Sequence, residues 1–281
     1  MKMKHLNKSN LENLYGLSCI ETFLLYALKN EKYSYQYLFF DSFLSFNEII
    51  YAFVEKKIQF AHFREVTRIQ HLCSQYGLVN LHRYDQINEV IFNDFSYVCC
   101  LVKLEYIKNK YKTELLRDDP YILLSPLDEE NFYYLKDSPR DDGVLTLKEL
   151  TSIFDGHIIT FDIQKEITEN MIDEFFQLFL IKLRNKKMAY YPNPNLTNII
   201  EARDIIGIHR ILRRRMYEFC SLYTNVDFLV PYLKELDRYY AMIEYMRLRK
   251  KIDIQKVETI FEAIFREDML QMAKIIKELE K

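Results

Sequence analysis

Little in this chain points toward secretion, a bilayer or a metal. Its five cysteines are odd in number and contain no Cys-x-x-Cys pair, which argues against a disulfide framework or a zinc or redox site and implies a reducing compartment. His71 and Cys73 are two residues apart on an expected helix, so they point to different faces and do not share a metal. No apolar run reaches the roughly 18 to 20 residues that span a bilayer, and the basic N-terminus is not followed by a signal core. A soluble, cytoplasmic protein without export is expected. The formal net charge is −2 and the pI about 6.3, so neither nucleic acid nor an anionic membrane is implied as a partner. Tryptophan is absent and glycine occurs only five times, against 22 tyrosines and 20 phenylalanines. With many Lys, Ile and Asn, AT-rich coding accounts for that bias more simply than an aromatic binding surface does.

What is present is organised around Tyr15-Gly-Leu-Ser-Cys-Ile-Glu-Thr-Phe-Leu-Leu-Tyr-Ala-Leu-Lys29. Ser18 is a natural N-cap, and Ile20, Phe23, Leu24, Ala27 and Leu28 recur at helical spacing, so a buried helix opens at Cys19. A thiol in a first turn feels unpaired backbone N–H groups and the positive end of the helix dipole, which favour thiolate. The plainer reading of Cys19 is a small core residue.

At 281 residues the chain is long enough for two lobes. Tyr33–Phe40 and Asn47–Glu55 have helical apolar spacing, and Glu65–Gln75 is an amphipathic helix closed by Gly77. From Ser96 the texture turns to strands, expected over Tyr97–Ile107, Tyr121–Leu124 and Asn131–Lys136. A polar turn ending at Gly143, a short helix over Thr146–Phe154 with a capping box, and a strand over Gly156–Ile163 follow. Beyond Lys165 the pattern is almost wholly helical: Ile167–Leu183, a break at Tyr190-Tyr-Pro-Asn-Pro-Asn195, then Asn198–Tyr223, Val226–Lys250 and Asp253–Glu280.

This order, with a cysteine opening the first helix, resembles the papain-like bacteriocin-leader peptidases. It is more similar still to the N-terminal region of the butirosin-biosynthesis acyltransferases and related amide synthases of nonribosomal-peptide and polyketide clusters. The residues carrying the likeness are Ser18-Cys19-Ile-Glu-Thr-Phe-Leu-Leu, Tyr35-Gln-Tyr-Leu-Phe-Phe, Tyr133-Tyr-Leu-Lys-Asp137-Ser-Pro and Val144-Leu-Thr-Leu-Lys-Glu-Leu150, over roughly residues 10 to 165. The resemblance implies an α+β fold with a papain-like domain over 1–165 and a helical domain over 166–281. It further implies Cys19 as nucleophile, Asp137 as the acid that orients a histidine, and a carrier-protein thioester as substrate. The histidine has no match: the second strand opens with Arg117-Asp-Asp-Pro-Tyr121, leaving Asp119 or Pro120 at its place. A carboxylate with a reference pKa of about 3.9 is a weak base for a thiol.

Three readings stand at this point. One is a cysteine acyltransferase or thioesterase-like enzyme, with Asn13 and the Cys19 backbone N–H as oxyanion donors. Another is a pseudoenzyme that binds an acyl or peptidyl carrier protein or a partner synthase. The third is an interaction protein unconnected with acyl transfer. No cofactor of its own is expected beyond phosphopantetheine carried by a partner, and the oligomeric state is left open. Arg210, Arg213 and Arg214 fall at neighbouring positions of one helix, where they would receive that phosphate or an acidic carrier-protein helix. The alternative is a solvated face paired with Glu201, Asp204 and Glu218.

Overall fold

The computed structural model describes residues 6–11, 17–57, 69–90, 92–112, 120–137, 139–184 and 198–281. The fold class is α+β, and the chain forms two compact units: Met1–Tyr35 with Arg68–Thr168, and Gln36–Thr67 with Glu169–Lys281. In contrast with a single cut after residue 165, the segment Gln36–Thr67 belongs with the C-terminal helices.

The first unit is built on a six-stranded antiparallel sheet in the order β1-β6-β2-β3-β4-β5. The strands are β1 (Val79–Tyr84), β2 (Tyr97–Val102), β3 (Tyr121–Pro126), β4 (Asn131–Lys136), β5 (Asp141–Thr146) and β6 (Phe154–Ile163). Alternation along β2 divides two adjacent cysteines between the faces. Cys100 joins Val98, Val102, Ile122, Leu124 and Phe132 in a core completed by Ile107 and Leu150 from helices α4 (Leu104–Tyr111) and α5 (Leu147–Ile153). Cys99 falls on the face covered by α1 (Cys19–Asn30).

The helix signals are local and hold. Ser18 caps α1 and Thr146 caps α5, each in a complete capping box with Glu21 or Glu149. Gly77, at φ +63°, closes α3 (Ile69–Gln75) in a Schellman arrangement: Leu78 N–H donates to Cys73 C=O at 2.8 Å and Gly77 N–H to Ser74 C=O at 3.0 Å.

Three expectations for this unit are corrected. The strand expected over Tyr97–Ile107 ends at Val102, where the pairing with β6 shifts register, and the chain turns into α4. Of α4's residues only Ile107 is buried; the charged Lys103, Glu105, Lys108 and Lys110 around it suit a surface helix rather than a central strand. The polar turn expected up to Gly143 ends at Arg140, after which β5 begins, and β1 adds a strand that propensity did not indicate.

The second unit packs α2 (Phe46–Val54) with α6 (Glu169–Arg184), α7 (Ile199–Cys220), α8 (Leu229–Leu248) and α9 (Ile254–Leu279). Ile49, Phe53, Ile205, Leu212, Leu236, Ile243, Ile260 and Ile264 make its core. The aromatic run after Tyr33 is a 3-10 helix, Tyr35–Asp41, and Phe40 stacks on Phe175 of α6 at 4.5 Å. Its aromatic residues are therefore packing residues. The Tyr190–Asn195 break lies outside the described residues. Among the described residues, no single helix is long and apolar enough to cross a membrane.

Candidate functional site

Cys19 is the first residue of α1, directly after its N-cap. The groups around its sulfur come from the open end of the β3–β4 hairpin: the Tyr121 backbone N–H from the start of β3, and Lys136 and Asp137 from the end of β4. Cys99 of β2 lies close enough for the two thiols to affect each other. Lys136 and Asp137 are buried, with Nζ and Oδ1 separated by 3.6 Å.

The surroundings of the sulfur oppose the expected thiolate. Burial pushes the Cys19 thiol up to about 12, and the Asp137 carboxylate adds to the rise by its charge and by accepting the S–H hydrogen bond. The Lys136 ammonium and the Tyr121 N–H pull the other way and are outweighed. Cys19 is nevertheless not sealed, being intermediate in exposure.

The α1 terminus also carries an acid of its own. One carboxylate oxygen of buried Glu21 accepts from the Ser18 N–H at 3.2 Å and the Ser18 hydroxyl at 3.1 Å; the other accepts the Ile69 N–H at 2.9 Å. A negative charge thus sits on the positive end of α1, within one turn of the sulfur. The local sequence dictates this, because Ser18-x-x-Glu21 is a capping-box spacing.

Asp137 therefore lies beside Cys19, and its carboxylate acts on the thiol itself. Asp119 and Asn13 lie outside the described residues. Several histidines have partners elsewhere: His82 Nε2 meets Asn80, His157 meets the Tyr121 hydroxyl, and His209 belongs to the helical unit. Sequence reasoning missed Lys136 as a member of the site. A lysine next to a candidate acid is ordinarily solvated, and the one available signal was its position as the last residue of a buried strand.

The arginines of α7 require a correction. Arg213 is fully buried, and its Nε and Nη2 donate to the two carboxylate oxygens of Asp268 on α9 at 2.6 and 2.8 Å. His209 Nε2 lies 2.8 Å from the Tyr232 hydroxyl and 3.4 Å from Asp268 Oδ1. Burial holds the His209 ring neutral, lowering its pKa to about 4. Burial would raise the Asp268 pKa, yet Arg213 and His209 hold it well below the usual carboxylate range. Arg210 and Arg214 lie on a partly exposed side and share Asp237 of α8, at 3.4 and 2.6 Å. Arg213 is thus inaccessible to an incoming phosphate, and its two neighbours already hold a carboxylate. Asp237 and Asp268, distant in sequence, answer these three arginines, and Asp204 pairs with the neighbouring Arg203.

Compared with known proteins, the chain matches no family model and no curated protein sequence.

Proposed function

We propose that this chain is a catalytically degenerate papain-like protein of thiotemplated biosynthesis, cytoplasmic, which binds an acyl or peptidyl carrier protein or a partner synthase. One observation carries the loss of catalysis: the Asp137 carboxylate stands beside the Cys19 thiol, and burial together with that charge pushes the thiol up. A nucleophilic cysteine needs a base that takes its proton and then carries a positive charge beside the thiolate. A carboxylate against the sulfur does the opposite, since removing the proton leaves two negative charges in contact.

The papain-like part of the reading is supported by order and proximity. A cysteine opens α1, and it meets the first residue of β3 and the residue just after β4, the positions from which the resembling family draws its histidine and its acid. A phosphopantetheine arm, in this reading, belongs to the partner. Its recognition does not run through Arg210, Arg213 and Arg214, whose charges are answered by Asp237 and Asp268.

The test is hydrolysis of a simple acyl thioester by the wild type, by Cys19→Ala and by Asp119→His. Wild-type rates equal to those of Cys19→Ala are expected, with Cys19-dependent hydrolysis gained when histidine is installed at the position matching the family's base. Substantial wild-type turnover that disappears in Cys19→Ala overturns the pseudoenzyme reading.

A further inference from the structure

Helix α8 is apolar on more than the side it buries. Leu229, Tyr232, Leu236 and Ile243 enter the helical core, but a second stripe, Arg238, Ala241, Met242, Tyr245, Met246 and Arg249, faces an open groove of about 980 Å³. The spacing i, i+3, i+4, i+7, i+8, i+11 lines three turns, a trough about 16 Å long at 1.5 Å rise per residue. The turn into α9 closes its end with Lys251, Ile252 and Lys256. Tyr245 is 60% exposed and Ile252 47%, a solvent-facing apolar surface that the unit's own packing leaves uncovered.

The charge around this trough is one-sided. Between residues 249 and 256 stand Arg249, Lys250, Lys251 and Lys256 against one carboxylate, Asp253. Asp253 is occupied as the N-cap of α9, accepting the Lys256 backbone N–H at 3.0 Å. Glu235 is paired with Arg238 and Glu244 with Arg247. Among the described residues, Arg249, Lys251 and Lys256 have no carboxylate partner; Arg249 lies over the Tyr245 ring at 5.4 Å. An apolar trough three turns long with unanswered cations at one end is the complement of an amphipathic helix carrying acidic residues beside its apolar stripe. An anionic lipid surface shares the charge chemistry, but it is met by side chains on a convex ridge, whereas these line a concavity.

We propose that the α8–α9 groove docks an acidic amphipathic helix of a partner protein, with Met242, Tyr245 and Ile252 taking its apolar side chains and Arg249, Lys251 and Lys256 its carboxylates. This deepens the binding role proposed above and rests on that reading for its biological setting. The test uses the full chain and a fluorescent helical peptide of about 16 residues, Leu and Met on one face and Glu flanking it, with a Lys-for-Glu peptide as control. Saturable binding of the acidic peptide is expected, weakening with salt and falling about tenfold or more in Arg249→Glu/Lys251→Glu and, separately, in Tyr245→Ala. These residues are on the surface, and unchanged circular dichroism establishes that the variants fold.

No binding of the acidic peptide, equal binding of the basic one, or indifference to both variants overturns the proposal. So does binding only to phosphatidylserine-containing vesicles, or a self-association abolished by Tyr245→Ala that excludes the peptide. Cys19-dependent thioester turnover would instead overturn the preceding section and leave the groove assignment standing; failure of peptide binding would do the reverse.

Discussion

Each unit buries a charged cluster around one aspartate, and the two aspartates have opposite consequences. In the helical unit, Asp268 receives two hydrogen bonds from Arg213, with His209 and Tyr232 closing around the same carboxylate. In the sheet unit, Asp137 has Lys136 at 3.6 Å and stands beside the Cys19 thiol, whose pKa its charge raises. Opposite a guanidinium, a buried carboxylate fixes packing; opposite a thiol, it fixes a proton. The first cluster is therefore read as structure, and the second is the one on which the proposed loss of catalysis rests, although both are dense in titratable groups.

The largest effect that sharpens this contrast is expected from Asp268→Ala. Removing the carboxylate leaves Arg213 charged and buried, at a cost of about 3–5 kcal/mol in urea unfolding. A loss below about 1 kcal/mol would mean that Arg213 finds water or another acid and that the cluster is not structural.

His209 gives the next effect, through pH. Its folded pKa of about 4 lies below the ordinary 6.5, so between these values the unfolded chain binds the extra proton. Stability is then full above about pH 6.5 and is lost as pH falls toward 4, on the order of 3 kcal/mol from this group. His209→Gln, which cannot titrate, is expected to flatten thermal stability over that window, and an unchanged profile would assign the acid sensitivity to other groups.

Smaller effects come from the sheet unit. A Cβ at Gly143 would meet Tyr134 Cε1 at 3.0 Å, where Gly143 lies opposite Tyr134 in the β4–β5 register. Gly143→Ala is expected to cost about 1–2 kcal/mol in urea unfolding by overpacking. Ser18→Ala, which removes the α1 cap, should cost about 1 kcal/mol in the same measurement.

Legibility in the sequence followed the range of the interaction. Ser18, Thr146 and Gly77 mark helix ends because capping is settled within four residues. The strands that escaped, β1 and β5, are the two sheet edges. Edge strands keep polar groups facing solvent, so Val79-Asn-Leu-His-Arg-Tyr84 and Asp141-Asp-Gly-Val-Leu-Thr146 lack the apolar content that identifies a central strand. The partner of Arg213 lies 55 residues away, and no helical spacing reveals it. In the candidate site, Asp137 was legible through order along the chain, whereas Lys136 was not. The direction of the Cys19 shift was missed because burial and the Asp137 charge, its two largest causes, come from packing against segments distant in sequence.

The central claim is that burial, with Asp137 adding to it, holds the Cys19 thiol protonated, and the most direct measurement is the pH dependence of iodoacetamide alkylation at Cys19. Peptide-resolved mass spectrometry separates it from Cys73, Cys99, Cys100 and Cys220, all buried. In the wild type, Cys19 is expected to resist labelling until pH is well above the ordinary thiol value of about 8.5, and Asp137→Asn is expected to move its midpoint down. Half-labelling of wild-type Cys19 at or below about pH 8.5, unmoved by Asp137→Asn, would contradict the account and return Cys19 to the nucleophiles.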